Sequence, residues 1–217
     1  MTAKIVRTNE DFSLHFINTI ASFPAVIEPR LNDMNPANTY NEFSLDILIP
    51  KTQAKFEDEE VIVVKTEEGN IVPGTESKMT WGAFFDELKK DRWPDGAPEF
   101  RYDYIKDGDF KINKKTGELY DGYGGHWFLT AKSGEDRKPD VTDAAGNELT
   151  KADAVVGGDT VNVLVSCYSY GKMGNNGISF GLQKVQLRKK ADTPLGGGIS
   201  SKAAANTFDA FSDELVL

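Results

Sequence analysis

The stretch that most constrains this chain runs from Thr160 to Lys189. In its first half, Val161, Val163, Val165 and Cys167 fall on one side of an extended chain. Asn162, Leu164, Ser166, Tyr168 and Tyr170 fall on the other. Alternation of period two over that length predicts a long, half-buried strand. Gly171 to Gly177 supplies turn residues, and Ile178 to Lys189 reads as a strand pairing back.

The rest of the chain adds short strands to this hairpin. Phe12 to Phe23 predicts a first strand that Pro24 ends. Pro24 to Asn41, with three prolines and four asparagines, reads as loop. Glu42 to Ile49 alternates, with Phe43, Leu45, Ile47 and Ile49 expected inside, and Glu42, Ser44 and Asp46 outside. Glu60 to Lys65 is β-branched, and Asn70 to Lys78 reads as loop. Trp81, Phe84, Phe85 and Leu88 recur at helical spacing behind Thr80, a candidate N-cap, with Pro94 beyond. This predicts one inserted helix that closes an end of a barrel, its aromatic stripe in the core. Phe100 to Lys106, Asp109 to Asn113 and His126 to Lys132 read as strands; Lys114 to Gly117 and Gly122 to Gly125 read as turn and loop. Pro139 to Gly158 is a turn-rich connection. The pattern predicts a mainly β fold, a barrel or sandwich with extended hairpins, over residues 1–195.

From Ala191 the composition shifts. Three glycines at 196–198, two serines and three alanines read as a linker. The tail 196–217 is acidic with spaced apolar residues, including Phe208, Asp209, Phe211, Asp213 and Glu214. It is expected to stay disordered until it meets a partner.

A chain of 217 residues suits one elaborated domain. Its single cysteine forms no intrachain disulfide. The first residues carry no apolar signal region, and no apolar run reaches the ~18 residues of a membrane span. We therefore expect a soluble, cytoplasmic protein that is not membrane-bound. The catalytic signatures sought are a zinc spacing, a phosphate loop and a G-x-S-x-G nucleophile elbow, and none is read. Asp107 and Asp109 flank Gly108, where a hairpin turn competes with a metal site. No cofactor, metal or catalytic residue is expected.

The net charge of −9 argues against a nucleic-acid partner only if charge is evenly spread. It is not. Thr160 to Lys190 holds Lys172, Lys184, Arg188, Lys189 and Lys190 without one acidic residue, whereas Pro50 to Glu99 holds seven basic and twelve acidic residues. Aromatic and basic side chains also interleave: Arg101, Tyr102, Tyr104, Lys106 and Lys111; then Tyr120, Tyr123, Trp127 and Phe128; then Tyr168, Tyr170 and Lys172. Cations for phosphates and flat rings for bases are what single-stranded nucleic acid requires. The alternative is that the rings fill the barrel; of Trp127 and Phe128, which alternate across a strand, one must do so.

Several segments resemble the single-stranded DNA-binding proteins of tailed phages, the replication proteins of T-seven type among them. The resembling segments are Ile105-Lys106-Asp107-Gly108-Asp109, His126 to Lys132, Arg137 to Asp143, and Cys167-Tyr168 followed by Asn176 to Ser179 and Leu182 to Gln186. Pro194 to Gly197 follows the same pattern, and Asn35-Pro36, Tyr40 and Leu48 to Pro50 do so more loosely. The resemblance implies a five-stranded OB-fold barrel that binds single-stranded DNA in phage replication and recombination. It also implies dimeric or cooperative assembly and a tail that contacts replication proteins. Its DNA-contacting tyrosine falls on Tyr170, ahead of Lys172, and a basic N-terminal contact on Lys4. Where the family has an arginine before the second strand, Asn38 or Thr39 stands. A phage structural protein, such as a tail or decoration subunit, and an enzyme of unseen site are the competing classes.

Overall fold

The computed structural model describes residues 2–8, 11–31, 40–68, 70–172 and 174–195, with the backbone alone at Lys172. The expected tail, with Phe208, Asp209, Phe211, Asp213 and Glu214, lies outside the described residues, as do Asn35, Pro36, Asn38 and Thr39.

Twelve strands and one α-helix are described. The strands are β1 (Lys4–Thr8), β2 (Ser13–Leu31), β3 (Asn41–Pro50), β4 (Glu60–Val64), β5 (Thr66–Glu67), β6 (Asn70–Ile71) and β7 (Ser77–Thr80). After α1 (Trp81–Arg92) come β8 (Lys106–Asp107), β9 (His126–Gly134), β10 (Asp140–Thr142), β11 (Thr160–Lys172) and β12 (Asn175–Lys189). Five of them close a ring: β2 pairs with β3, β3 with β9, β9 with β12, β12 with β11, and β11 with β2. All these pairs are antiparallel except β9–β12, which is parallel. This is the closed five-stranded barrel of an OB fold, mainly β with one helix. β1, β4 and β7 extend the sheet from the side of β2 and lead into α1.

The barrel interior holds Phe16, Leu45, Ile47, Leu129, Val163, Val165, Phe180 and Leu182. The helix enters it as the spacing predicts. Thr80 Oγ1 accepts from the Ala83 N–H at 3.1 Å, and Trp81, Phe84, Phe85 and Leu88 are all buried. Trp81 meets Phe16 at 6.0 Å and Phe85 meets Phe180 at 6.2 Å between ring centroids, so the aromatic stripe is core. Arg7, itself buried, ties β1 to the helix through Glu87 at 2.5 Å and lies over Phe84.

Five expectations are corrected. Pro24 does not end the first long strand. β2 continues to Leu31, with register shifts between Ser22 and Ala25 and a left-handed φ of 45° at Phe23. A proline needs no ladder donor at such a bulge. Phe100 to Ile105 forms no strand, and of the expected strand Asp109 to Asn113 only an isolated bridge, Ile112 to Leu119, is made. Asn70 to Lys78 is not all loop, since it contributes β6 and the start of β7. Asp46 is buried although it faces outward. It accepts from Tyr123 Oη at 2.5 Å and Thr130 Oγ1 at 2.6 Å, because residues 108–125 fold over the exterior of β3 and β9. Under that cover Leu48, Tyr123 and Phe128 form a second apolar cluster, against which Leu195 packs.

Tyr123→Phe leaves the buried Asp46 carboxylate with one hydroxyl fewer. It should lower unfolding stability by about 1–3 kcal/mol, read as a shift in the urea midpoint at constant slope. A shift below a few tenths would show that this bond does not fasten the cover.

Candidate nucleic-acid interface

Strand register decides which side chains share the barrel exterior. Tyr168 stands opposite Ser179, Tyr170 opposite Gly177, and Ser166 opposite Gly181. Gly181 lies beside Lys132 in the parallel pair, and Lys132 opposite Ser44. Lys106 stands beside Phe128 across β8–β9. The exterior face of β3, β9, β12 and β11 thus has a low floor of Gly177, Ser179 and Gly181. Tyr168 and Tyr170 rise on one side of it, and Lys132, Lys106 and Lys111 on the other.

The floor is low at Gly177 because the Tyr170 side chain occupies the space above it. A Cβ on Gly177 would come within 2.6 Å of the Tyr170 hydroxyl and 2.8 Å of its Cζ, so the tyrosine ring lies across the glycine. Tyr168 is 49% exposed. The hairpin carrying both is braced from behind, where Ser169 Oγ donates to the Leu88 carbonyl of α1 at 3.3 Å. Lys106 and Lys111 hold their ammonium groups 5.8 and 5.0 Å from the centroid of Phe128, and Lys111 also lies 5.6 Å from Tyr123. Neither lysine is paired with a carboxylate among the described residues. Lys132 is paired with Glu42 at 2.6 Å.

The expected site residues are therefore divided. Tyr168, Tyr170, Lys106 and Lys111 meet on this face; of Lys172 only the backbone, paired with Asn175, is described. Lys184 points outward further along β12 and is bound to Asp140 at 2.6 Å. Lys190 meets Asp159 from another segment and Lys189 meets Asp192 three residues on, so the basic strip read from sequence is partly balanced by acids. Lys4 is exposed on β1, lining a depression with Glu60 and Glu76. Trp127 and Phe128 are both buried: Trp127 faces the interior and donates from Nε1 to Glu59 Oε1 at 3.0 Å, while Phe128 is covered from outside. Tyr104 packs on Phe85 at 4.6 Å between centroids, a core contact. Arg101 and Tyr102 are exposed and stack on each other at 5.2 Å, on the segment before β8.

Sequence reasoning missed Lys132 and the floor, although the alternation Gly177-Ile178-Ser179-Phe180-Gly181 was there to read. Those five residues also carry the letters G-x-S-x-G. They lie inside one continuous strand rather than at a strand-to-helix turn, so the nucleophile elbow is not formed. Asp107 and Asp109 both bind Lys51, each at 2.5 Å, and no metal-binding group of acids, histidines and cysteine exists among the described residues. The Gly125 N–H and Lys51 hold the Asp109 carboxyl below its usual range. No described helix is long and apolar enough to cross a membrane.

Comparison with known proteins follows the same lines. The single-stranded DNA-binding protein of bacteriophage Enc34, solved in complex with single-stranded DNA, is 21% identical. That match covers 85% of this chain and 90% of that chain with a TM-score of 0.57. A second structure of that protein is 18% identical, covering 95% and 99%, also at 0.57. Both likenesses are to the fold. The single-stranded DNA-binding protein of bacteriophage T7 is 12% identical, covering 88% of this chain and 96% of that chain, with a looser TM-score of 0.45. No curated protein sequence matches. The family model built on the single-stranded DNA-binding protein of Enterobacter phage Enc34 matches residues 15–216, and the chain belongs to that family.

Proposed function

We propose that this protein binds single-stranded DNA without sequence preference and without catalysis, on the exterior face of β3, β9, β12 and β11. The observation that carries the reading is the tyrosine wall on a glycine–serine floor, opposite the lysines over Phe128. OB folds take oligonucleotides on this face, beside the loop that joins the last two strands. Bases stack on Tyr168 and Tyr170, and phosphates pass Lys106, Lys111 and Lys132. Family membership supports the reading over that of a tail or decoration subunit. The role we assign is in phage DNA replication and recombination in the host cytoplasm. Copies assemble along the strand, and the acidic tail 196–217 contacts replication proteins.

Affinity for unstructured oligonucleotides should fall with salt at a logarithmic slope of about −0.7 per phosphate neutralised. Fluorescence anisotropy across a salt series tests this; binding that ignores salt, or prefers duplex, rules the reading out. Tyr168→Ala and Tyr170→Ala should each weaken binding by roughly 1–3 kcal/mol with the melting temperature nearly unchanged. Gly177→Ala should lift the Tyr170 ring and weaken binding several-fold while the fold holds. A stable Gly177→Ala protein that binds like the parent would remove Tyr170 from the interface.

Deleting residues 200–217 should leave the barrel folded and tighten binding at low salt, by under ~1 kcal/mol given the few charges involved. It should also abolish at least one contact with a replication protein. Comparison of affinity, melting temperature and co-purification for the two lengths decides the point. Unfolding on truncation would mean that the segment belongs to the domain.

A further inference from the structure

The segment that covers β3 and β9 also sends out a small hairpin that the barrel does not need. Its arms pair through Ile112 and Leu119, with the Tyr120 N–H donating to the Lys111 carbonyl at 2.9 Å and the Asn113 N–H to the Glu118 carbonyl at 2.8 Å. Lys114, Lys115 and Gly117 form its tip, Gly117 with a φ of +76°. Phe110, at its base, is 80% exposed.

An exposed phenylalanine on a loose loop would mean little. This one is held out by a rigid base. Lys51 bridges Asp107 and Asp109, Asp107 Oδ1 accepts from the Asp109 N–H at 2.8 Å, and Asp109 Oδ1 accepts from the Gly125 N–H at 2.6 Å. Gly108 is packed so closely that a Cβ there would stand 2.2 Å from the Tyr123 carbonyl oxygen. The Asp107-Gly108-Asp109 turn therefore fixes where Phe110 leaves the surface. Its neighbour Lys111 turns inward, over Phe128 on the barrel face. Lys114 and Lys115 are exposed and are not paired with an acid among the described residues.

We propose that the 108–120 hairpin is a second station for single-stranded DNA, continuous with the barrel face through Lys111. A base beyond the tyrosine wall stacks on Phe110, and its flanking phosphates pass Lys114 and Lys115. The occupant is the same strand, because Phe110 shares one hairpin with the exposed Lys114 and Lys115, and that hairpin's Lys111 lies over the barrel face. The proposal rests on the barrel-face reading and adds a longer footprint to it.

The test is affinity against oligothymidylate length, for the parent, Phe110→Ala, and Lys114→Glu with Lys115→Glu. Oligomers just long enough to cross the tyrosine face should bind parent and variants within about twofold. Longer ones should gain affinity with the parent, and the variants should lose that gain, about five- to a hundredfold for a stacked base. Phe110→Trp should show fluorescence quenching only with the longer oligomers. An unchanged length dependence in Phe110→Ala overturns the proposal and leaves the barrel reading standing. So does a change in sedimentation without a change in length dependence, which would make the hairpin an interface between copies. Failure of the parent to bind at any length overturns both.

Discussion

The architecture depends on one narrow seam. Four of the five barrel contacts are antiparallel ladders, but β9 and β12 meet in parallel through only two registered pairs, Phe180 with Ala131 and Gly181 with Lys132. Further along the same edge of β9, β8 takes the bonds instead. β12 is therefore released from the barrel near its start while still paired to β11 over thirteen positions. A two-stranded ribbon that leaves a sheet needs support, and α1 provides it through Leu88. The same seam gives the exterior face its contour, since the strand crossing it carries Gly177, Ser179 and Gly181 where bulkier residues would fill the channel.

The inserted segment after α1 has a comparable double effect. Its Lys106 and Lys111 take positions above a buried phenylalanine, and its Tyr123 satisfies the carboxylate of Asp46 that it covers. An acid exposed on this face would repel phosphate. Here Asp46 is enclosed and Glu42 is matched by Lys132, so the face is much less acidic than the chain's net charge suggests. Polyanion binding depends on the local field rather than on the sum over the molecule.

Segments governed by local rules were legible. The helix over Trp81 to Arg92 follows from its 3.6-residue apolar spacing and a threonine cap. The long hairpin follows from alternation, and its inward valines are buried as that alternation requires. Where packing from elsewhere intervened, the local reading failed. Trp127 and Phe128 alternate across a strand, yet both are buried, because residues 108–125 cover the outer side. Tyr104 carries the same aromatic-and-basic context as Lys106, yet α1 draws its ring inward.

Sequence by itself determined the strand and helix periods and the absence of disulfide chemistry within the chain. These depend on spacing within one segment, and spacing is what a sequence records. Only the tertiary structure decided which cations are available. Lys184 and Lys190 meet Asp140 and Asp159 from distant parts of the chain, whereas Lys106 and Lys111, close to Asp107 and Asp109 in the chain, are left over an aromatic ring because Lys51 takes both aspartates. Charge pairing acts through space over a few ångströms, and only the closed barrel sets those distances.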